Sequence, residues 1–458
     1  MNQSLFQEFE EVTAKEWKQK IQFELKGADY NEKVVYKSRD GINVKPFYNS
    51  EDISETPKTI SPKNWEICEK IYVAFEEKSN QKAQEVLKKG AESLWFILPS
   101  KKVDLQTLFQ DLDLEKVPVY LGLEFLSEKF FTNLNKFLSG KNHQIVPQVD
   151  IVGNLARSGN WYFNLPKDHE ILTEILATGD KFRSILSVDA TLYQNAGATI
   201  PQELAYSLAH ANEYLNHISS SEKIKKDPEI QFLIAEGSNY FFEIAKIRAF
   251  RILYASLASE YNFQENCHIL AQPTKRDKTL YDYNVNLLRT TTQSMSAILG
   301  GANAVYNSPY DAIFHKNNEF GDRIARNQLL VLKTESYLDK VSNAAEGSYY
   351  IESLTIQFAE KALEIFKEIE AGGGFLNQLK EGIIQKKILE SAQREQEQFN
   401  EGELVLIGTN KFEKPEDRMK NDMELYPFLK MNPRKTLIQP ILERRLAEGM
   451  EQERLKNE

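Results

Sequence analysis

Short apolar runs alternate with amphipathic helical patterns over most of this chain, and this alternation limits the folds that it can adopt. Residues 94–98 are apolar at every position and are followed by Pro99, which is typical of a strand buried on both faces. Helical patterns separate this run from the next ones along the chain. Since a helix between two strands returns the chain to the same edge of a sheet, we expect a parallel sheet covered by helices.

Eight such strands are predicted, and eight strand–helix units favour closure into a barrel. The predicted strands lie at residues 94–98, 117–121, 145–152, 185–188, 232–235, 268–271, 303–306 and 348–351. We therefore predict an α/β fold in three parts. These are an N-terminal helix and strand arm at residues 1–65, a (β/α)8 TIM barrel at residues 66–375, and a charged helical C-terminal extension at residues 376–458.

The N-terminal arm contains one clear amphipathic pattern. Trp17, Ile21 and Leu25 recur at every fourth position, which places them on one face of a short helix. Residues 41–48 are predicted to form a turn and an extended segment that carries Phe47. One helix and two short strands cannot bury a core alone. The arm must therefore pack on a larger body, which is either its own barrel or another subunit.

Composition excludes several classes of protein. The net charge is −10, with 67 acidic against 57 basic residues, so bulk attraction to nucleic acid is not expected. No apolar run approaches the ~18 residues of a membrane span, and the first residues do not resemble a secretory signal. Cys68 and Cys267 are too isolated in sequence to form a metal or redox motif. These features predict a protein of the reducing cytoplasm.

Common cofactor motifs are absent from the sequence. The glycines at residues 372–374 lack the following Gly-Lys-Ser/Thr of a phosphate loop, and they are interpreted as a helix end. The six histidines show no metal-ligand spacing, and His210 lies in a helical pattern without a spaced partner. We therefore predict no metal site and no cofactor bound by this chain.

Several motifs in a fixed order resemble the methylmalonyl-CoA mutase family. The longest is RTTTQSMSAILGGANAVYNSPYD at residues 289–311. It is followed by DRIARN at residues 322–327 and GSYYIE at residues 347–352, and the arm contributes GINVKPFY at residues 41–48. The resemblance implies a TIM barrel. It also implies a radical rearrangement of an acyl-CoA thioester, for which the family uses histidines, an arginine and tyrosines inside the barrel.

The resemblance fails at the family's catalytic positions. Residues 187–197 (SVDATLYQNAG) are similar to the histidine-bearing segment of the family, but Leu192 replaces the histidine. Leu270 replaces the second histidine, and only Gln194 and Gln272 remain as remnants of a pocket. A shifted frame that brings His268 into the second position is the alternative. The family's tyrosine-bearing Arg-Gln-Tyr-Ala-Gly segment has no counterpart before residue 65.

The resemblance therefore implies a small, non-catalytic subunit of a two-subunit mutase. No histidine follows the Asp-x-His-x-x-Gly pattern, and no segment after residue 374 resembles the family's cobalamin domain. Adenosylcobalamin is expected in the large catalytic partner subunit, and the arm, with Trp17, Ile21, Leu25 and Phe47, is expected to contact that partner. Residual CoA-ester binding stays open. Two alternatives are a substrate-binding mutase subunit that works with a separate cobalamin-binding chain, and a free-standing CoA-ester-binding protein.

Overall fold

A computed structural model describes residues 8–10, 12–53, 59, 61–179, 181–224, 229–429 and 433–458. The strands are β1 (Tyr36–Lys37), β2 (Asn43–Val44), β3 (Glu66–Tyr72), β4 (Ser93–Leu98), β5 (Val119–Leu123), β6 (Ile145–Gln148), β7 (Ser184–Asp189), β8 (Glu229–Glu236), β9 (His268–Pro273) and β10 (Ala304–Tyr306). The helices are α1 (Ala14–Glu24), α2 (Tyr30–Lys33), α3 (Glu76–Lys88), α4 (Leu105–Leu108), α5 (Glu128–Phe137), α6 (Ile151–Ser158), α7 (Leu165–Thr178), α8 (Thr191–Asn195), α9 (Ile200–Ser219), α10 (Tyr240–Glu260), α11 (Val285–Gly300), α12 (Glu319–Leu330), α13 (Tyr349–Ala371), α14 (Phe375–Lys380), α15 (Ile383–Asn400) and α16 (Glu448–Lys456). Within the described ranges, none of these helices combines the length and apolarity needed to cross a bilayer.

Strands β3 to β10 form one parallel, 8-stranded sheet in the order β6-β5-β4-β3-β10-β9-β8-β7. Two backbone hydrogen bonds join its edges. The N–H of Val149 donates to Ile185 O at 2.9 Å, and the N–H of Ser187 donates to Val149 O at 3.0 Å. The sheet therefore closes into a barrel, and the predicted (β/α)8 fold is confirmed.

The prediction of a strand at residues 348–351 is wrong. This segment begins α13, with Ser348 as the residue before the first helical turn. Ile351, Leu354 and Phe358 are buried, and their spacing of three and four residues covers one face of a helix. The apolar residues that suggested a strand therefore serve the contact of α13 with the barrel.

The first strand of the barrel is β3, which the sequence pattern did not reveal. Its sequence, EICEKIY, interrupts the apolar run with charged residues. Glu69 is 7% exposed and forms an ion pair with Arg326 of α12 on the outside of the barrel. Lys70 has the opposite orientation and faces the inside of the barrel. Because Glu69 is paired outside the barrel and Lys70 faces its inside, a strand of mixed polarity can lie between two other strands of the sheet.

A C-terminal strap, residues 437–446, crosses the barrel at the carboxyl ends of its strands. Its backbone N–H groups donate to carbonyl oxygens of three segments that follow β6, β7 and β9. The bonds are Leu437 N to Gly159 O at 2.9 Å, Ile441 N to Ala156 O at 2.9 Å, Arg444 N to Asn195 O at 3.1 Å, and Leu446 N to Arg276 O at 2.9 Å. The strap therefore lies over the face of the barrel where TIM-barrel enzymes place their active sites.

The N-terminal arm packs on the barrel through its second half only. Ile42 is fully buried in the main core, and the ring of Tyr48 lies 5.1 Å from that of Tyr350 on α13. Helix α1 has no buried residue. Trp17 rests on Phe47 with 3.7 Å between ring centres, yet it remains 37% exposed. The arm is thus anchored at one end and presents its helix to solvent.

Three buried carboxylates surround one ammonium group between α9, α10 and β8. Lys246 Nζ lies 3.2 Å from Glu203 Oε2 and 3.6 Å from Glu236 Oε1, and it also contacts Glu243. One cation cannot neutralise three anions in a dry interior. Burial raises the pKa of Glu203 to about 8, although Lys246 acts in the opposite direction. Glu203 therefore holds its proton in the folded state over a pH range in which the unfolded chain releases it.

We expect the substitution Glu203→Gln to change the pH dependence of stability. Between pH 4.5, the ordinary pKa of a glutamate, and about pH 8, the folded chain binds more protons at this site than the unfolded chain, so the free energy of unfolding falls as pH rises. Glutamine removes that dependence. The melting temperature of the variant, relative to the unchanged chain, should therefore be higher near pH 8 than near pH 5. Glu360→Gln, on the exposed side of α13, is the control. An identical pH profile for both variants would contradict this account of Glu203.

Candidate functional site

The main cavity lies at the carboxyl ends of the barrel strands, beneath the C-terminal strap. Its volume is about 700 Å³, and each of the eight barrel strands contributes at least one residue to its wall. The residues from the strands are Lys70, Tyr72, Trp95, Ile97, Gly122, Leu123, Gln148, Ser187, Asp189, Leu233, Gln272 and Tyr306. We call this space the mouth cavity. Its position is the one at which TIM barrels bind ligands.

Large side chains fill the barrel below the mouth cavity. The interior cluster consists of Cys68, Trp95, Tyr120, Val146, Leu233, Leu270 and Ala304. Trp95 is 3% exposed and Tyr120 is 1% exposed. A second, small cavity of about 80 Å³ lies at the amino ends of the strands, next to Tyr120 and Val146. The cluster separates the two cavities, so no passage of ligand size runs along the axis.

A chain of hydrogen bonds fixes this filling. The indole N–H of Trp95 donates to Gln148 Oε1 at 2.7 Å, and the amide of Gln148 donates to Gln231 Oε1 at 2.7 Å. Gly122 leaves room for the indole, since a Cβ atom there would stand 3.1 Å from Trp95 Nε1 and 2.7 Å from Ile97 Cδ1. The orientation of Trp95 is therefore set by both hydrogen bonding and space.

The two leucines at the expected histidine positions lie in different environments. Leu270 is fully buried in the interior cluster. Leu192 is 1% exposed and lines a cavity of about 580 Å³ between α8 and the C-terminal strap. Neither side chain has a hydrogen-bonding atom. The structure does not bring these two positions together around one cavity.

The two glutamines at expected pocket positions are also separated. Gln272 is half-buried and lines the mouth cavity. Gln194 accepts a hydrogen bond from Thr274 Oγ1 at 2.6 Å and lines another cavity, of about 450 Å³, between the arm and the barrel. Of the two, only Gln272 is available to a ligand in the mouth cavity.

His268 lies at the end of the barrel opposite the mouth cavity. The hydroxyl of Tyr120 donates to Glu66 Oε2 at 3.0 Å and stands 2.9 Å from His268 Nε2. Burial lowers the pKa of His268, as do the positive charges of Arg183 and Arg251. A neutral imidazole held by Tyr120 at the amino end of β9 does not take the place of the missing histidine.

A buried hydrogen-bond network lies under one side of the mouth cavity, and the sequence pattern gave no sign of it. His210 is fully buried, and its Nε2 atom is 2.9 Å from Asp150 Oδ1. Tyr214 donates to the same oxygen at 2.6 Å, and Tyr193 lies 2.9 Å from His210 Nδ1. Burial raises the pKa of Asp150, but His210 and Tyr214 lower it more, so the pKa lies below its usual value. His210, for which no spaced partner was predicted, thus pairs with a residue of the strand-end loop.

Four charged residues of the mouth cavity wall are held in ion pairs, whereas Lys70 is not. Arg157 Nη2 lies 2.5 Å from Asp189 Oδ2, and Arg157 Nη1 lies 3.4 Å from Glu443 Oε1 of the strap. Lys275 Nζ lies 3.3 Å from Glu443 Oε2. Lys70 has no carboxylate partner among the described residues, and its Nζ atom lies over the ring of Trp95. The sequence pattern missed Lys70 because β3 itself was missed.

Comparison with known proteins identifies one family. The family model described as methylmalonyl-CoA mutase matches residues 97–445. The methylmalonyl-CoA mutase small subunit of Porphyromonas gingivalis is 33% identical over 90% of this chain and 71% of its own length. A methylmalonyl-CoA mutase of Cereibacter sphaeroides is 32% identical over 68% of this chain and 46% of its own length. The methylmalonyl-CoA mutase small subunit of Streptomyces virginiae is 29% identical over 84% of this chain and 68% of its own length. The chain therefore spans about half to seven tenths of the length of these relatives.

We expect Leu270→Ala to destabilise the fold strongly, because it removes a side chain from a filled interior. Truncation of a fully buried leucine costs about 2–5 kcal/mol in the free energy of unfolding. Leu437→Ala is the matched control, since Leu437 is 69% exposed on the strap. Both values come from urea denaturation followed by circular dichroism. A loss below about 0.5 kcal/mol, the usual range of a surface substitution, would mean that the interior is not closely packed around Leu270.

Proposed function

Because the chain belongs to the methylmalonyl-CoA mutase family, we propose that it is the small, non-catalytic subunit of a heterodimeric methylmalonyl-CoA mutase. The pair interconverts methylmalonyl-CoA and succinyl-CoA in the cytoplasm, and catalysis belongs to the large subunit. The observation that carries this proposal is the filled barrel. Trp95, Tyr120 and Leu270 occupy the space in which the family handles its thioester.

The chemistry of the cavity walls supports the same proposal. The family's reaction requires hydrogen-bond donors at the thioester carbonyl. Leu192 and Leu270 supply none. None of the six histidines lines the mouth cavity or the neighbouring cavity beside Leu192. The filled barrel also disfavours the two alternatives, a substrate-binding subunit with a separate cobalamin chain and a free-standing CoA-ester-binding protein.

The residues above the mouth cavity do not suit adenosylcobalamin, whose chemistry is the generation of a radical. The C-terminal strap lies across this face, and Glu443 ties it to Arg157 and Lys275. A flat macrocycle on the cavity would have to displace these contacts. We therefore propose that the large subunit binds the cofactor and that this chain takes no part in the chemical steps.

The arm supports a role in assembly. Helix α1 has no buried residue, and Phe23 on it is 79% exposed. Trp17 and Phe47 pack together but leave part of their surface open. Apolar side chains on a helix that its own barrel does not cover are suited to contact another subunit. Two unpaired, buried cysteines suit a reducing compartment.

Turnover of the purified chain tests the proposal directly. The chain is incubated with methylmalonyl-CoA and adenosylcobalamin, alone and with the large subunit, and succinyl-CoA is measured. We expect product only when the large subunit is present. Turnover by the isolated chain would overturn the non-catalytic assignment.

Removal of residues 1–27 is expected to weaken the heterodimer and to leave the barrel folded. This cut removes α1 but keeps Ile42, which is part of the main core. Each apolar side chain buried at an interface contributes about 1.5–3 kcal/mol before the cost of ordering. Affinity for the large subunit is measured by calorimetry, and the melting temperature of the isolated chain should change little.

A point variant with a matched control sharpens this test. Trp17→Ser should weaken the heterodimer, whereas Phe412→Ser, which changes a residue 74% exposed in a different region, should not. Equal affinities for the truncated and full chains, or equal effects of the two point variants, would contradict a docking role for the arm.

Leu192→His is expected to yield no mutase activity in the isolated chain. Position 192 lines the cavity beside the strap, while position 270 stays leucine inside the filled barrel. Residues that act as a unit return almost nothing when one is restored alone. An imidazole in this buried place also loses hydration, so thermal stability should be equal or lower. A large gain in turnover would show that the barrel retains a nearly complete active site.

A further inference from the structure

Lys70 is a cation without a counter-ion on the wall of the mouth cavity. Its side chain is only partly buried, and its Nζ atom lies 4.1 Å from the ring centre of Trp95 and 5.5 Å from that of Tyr306. Aromatic faces attract an ammonium group, but they do not accept its N–H groups as strongly as a carboxylate does. No acidic residue of the described chain forms an ion pair with Lys70. The ammonium therefore keeps donors that face the cavity.

Apart from Glu124 at the rim, the acidic residues around the cavity already have partners. Asp189 and Glu443 are bound to Arg157 and Lys275. Asp150 accepts hydrogen bonds from Tyr214, His210 and the N–H groups of Gly153 and Asp189. Glu124 is exposed at the rim. The cavity thus holds one uncompensated positive charge inside and bound or exposed negative charges around it.

The remaining wall indicates the kind of anion that fits. Trp95, Ile97, Leu233 and Tyr306 present apolar surface next to Lys70. Such surface favours an apolar body attached to the anionic group. The carboxylates of Asp189 and Glu443 repel a second negative charge on a ligand. A volume of about 700 Å³ accommodates a small molecule of this kind together with water.

We propose that the mouth cavity binds a small organic monocarboxylate, with the carboxylate on the Lys70 ammonium and the apolar chain against Trp95 and Tyr306. This site is distinct from the assembly role and does not depend on it. The closed axis means that the ligand enters from the strap side. A dicarboxylate and inorganic phosphate, which lack either the single charge or the apolar body, are expected to bind less well.

The charge state of Lys70 gives the site a pH dependence. Burial lowers the pKa of Lys70, the charges of Lys275 and Arg157 also lower it, and Asp189 and Glu443 raise it, so that together they leave the pKa at about 8. Only the ammonium form attracts a carboxylate. Binding is therefore expected to weaken as pH rises through about 8, because the lysine then loses its charge.

Calorimetric titration of the full chain with sodium butyrate tests the proposal. Loss of a charge-assisted contact corresponds to about tenfold or more in affinity, so Lys70→Met should bind butyrate at least that much more weakly. Lys141→Met is the matched control, because Lys141 lies 3.7 Å from the ring of Phe137 outside the barrel. This control should bind butyrate as the unchanged chain does. Melting temperatures confirm that both variants are folded.

Comparisons of three other ligands and of two pH values, all on the unchanged chain, make the test independent of any variant. Butyramide, which has the same shape without the charge, should bind more weakly than butyrate, and so should succinate and phosphate. Butyrate affinity should fall several-fold between about pH 6.5 and about pH 9. No butyrate binding, equal binding by Lys70→Met, or tighter binding of succinate or phosphate would overturn the proposal.

Discussion

The indole of Trp95 lies in the interior cluster of the barrel with its N–H bonded to Gln148, and the packing of the interior depends on this contact. Gln148 passes the hydrogen bonding on to Gln231, while Tyr120 and Leu270 close the space beneath. The hydrogen bonds from Trp95 to Gln148 and from Gln148 to Gln231 restrict the orientations of these side chains in the dry interior. The barrel therefore acts as a packed core with one open end.

In a barrel with one open end, the packed part stabilises the fold and the open end can bind a ligand. The second half of the arm packs through Ile42 on the main hydrophobic core, which is a different cluster from the one that fills the barrel. The open end retains a cavity whose wall comes from all eight barrel strands, and Lys70 in this wall forms no ion pair among the described residues. A barrel of this build is compatible with the proposed structural role and still offers a cavity for a small anion.

Much of the fold was predictable because burial on both faces leaves a simple sequence signal. The runs at residues 94–98, 232–235 and 268–271 predicted their strands well. β3 was missed because it contains two charged residues. Glu69 pairs with Arg326 on one side of the sheet and Lys70 faces a cavity on the other, and the local sequence cannot show either contact. The segment at residues 348–351 was mistaken for a strand because four residues are too few to distinguish the period of a strand from that of a helix.

By itself, the sequence determined the α/β alternation, the family of the chain and the leucines at positions 192 and 270. These features depend on residues that are close together in the sequence, so they can be recognised without knowledge of tertiary contacts. Only the tertiary structure decided that Trp95 meets Gln148 from 53 residues away and that His210 meets Asp150 from 60 residues away. It also decided that Lys70 faces a cavity without a counter-ion. The physical reason is that closure of the barrel, through contacts between residues remote in sequence, determines which side chains share an interior and which charges remain unpaired.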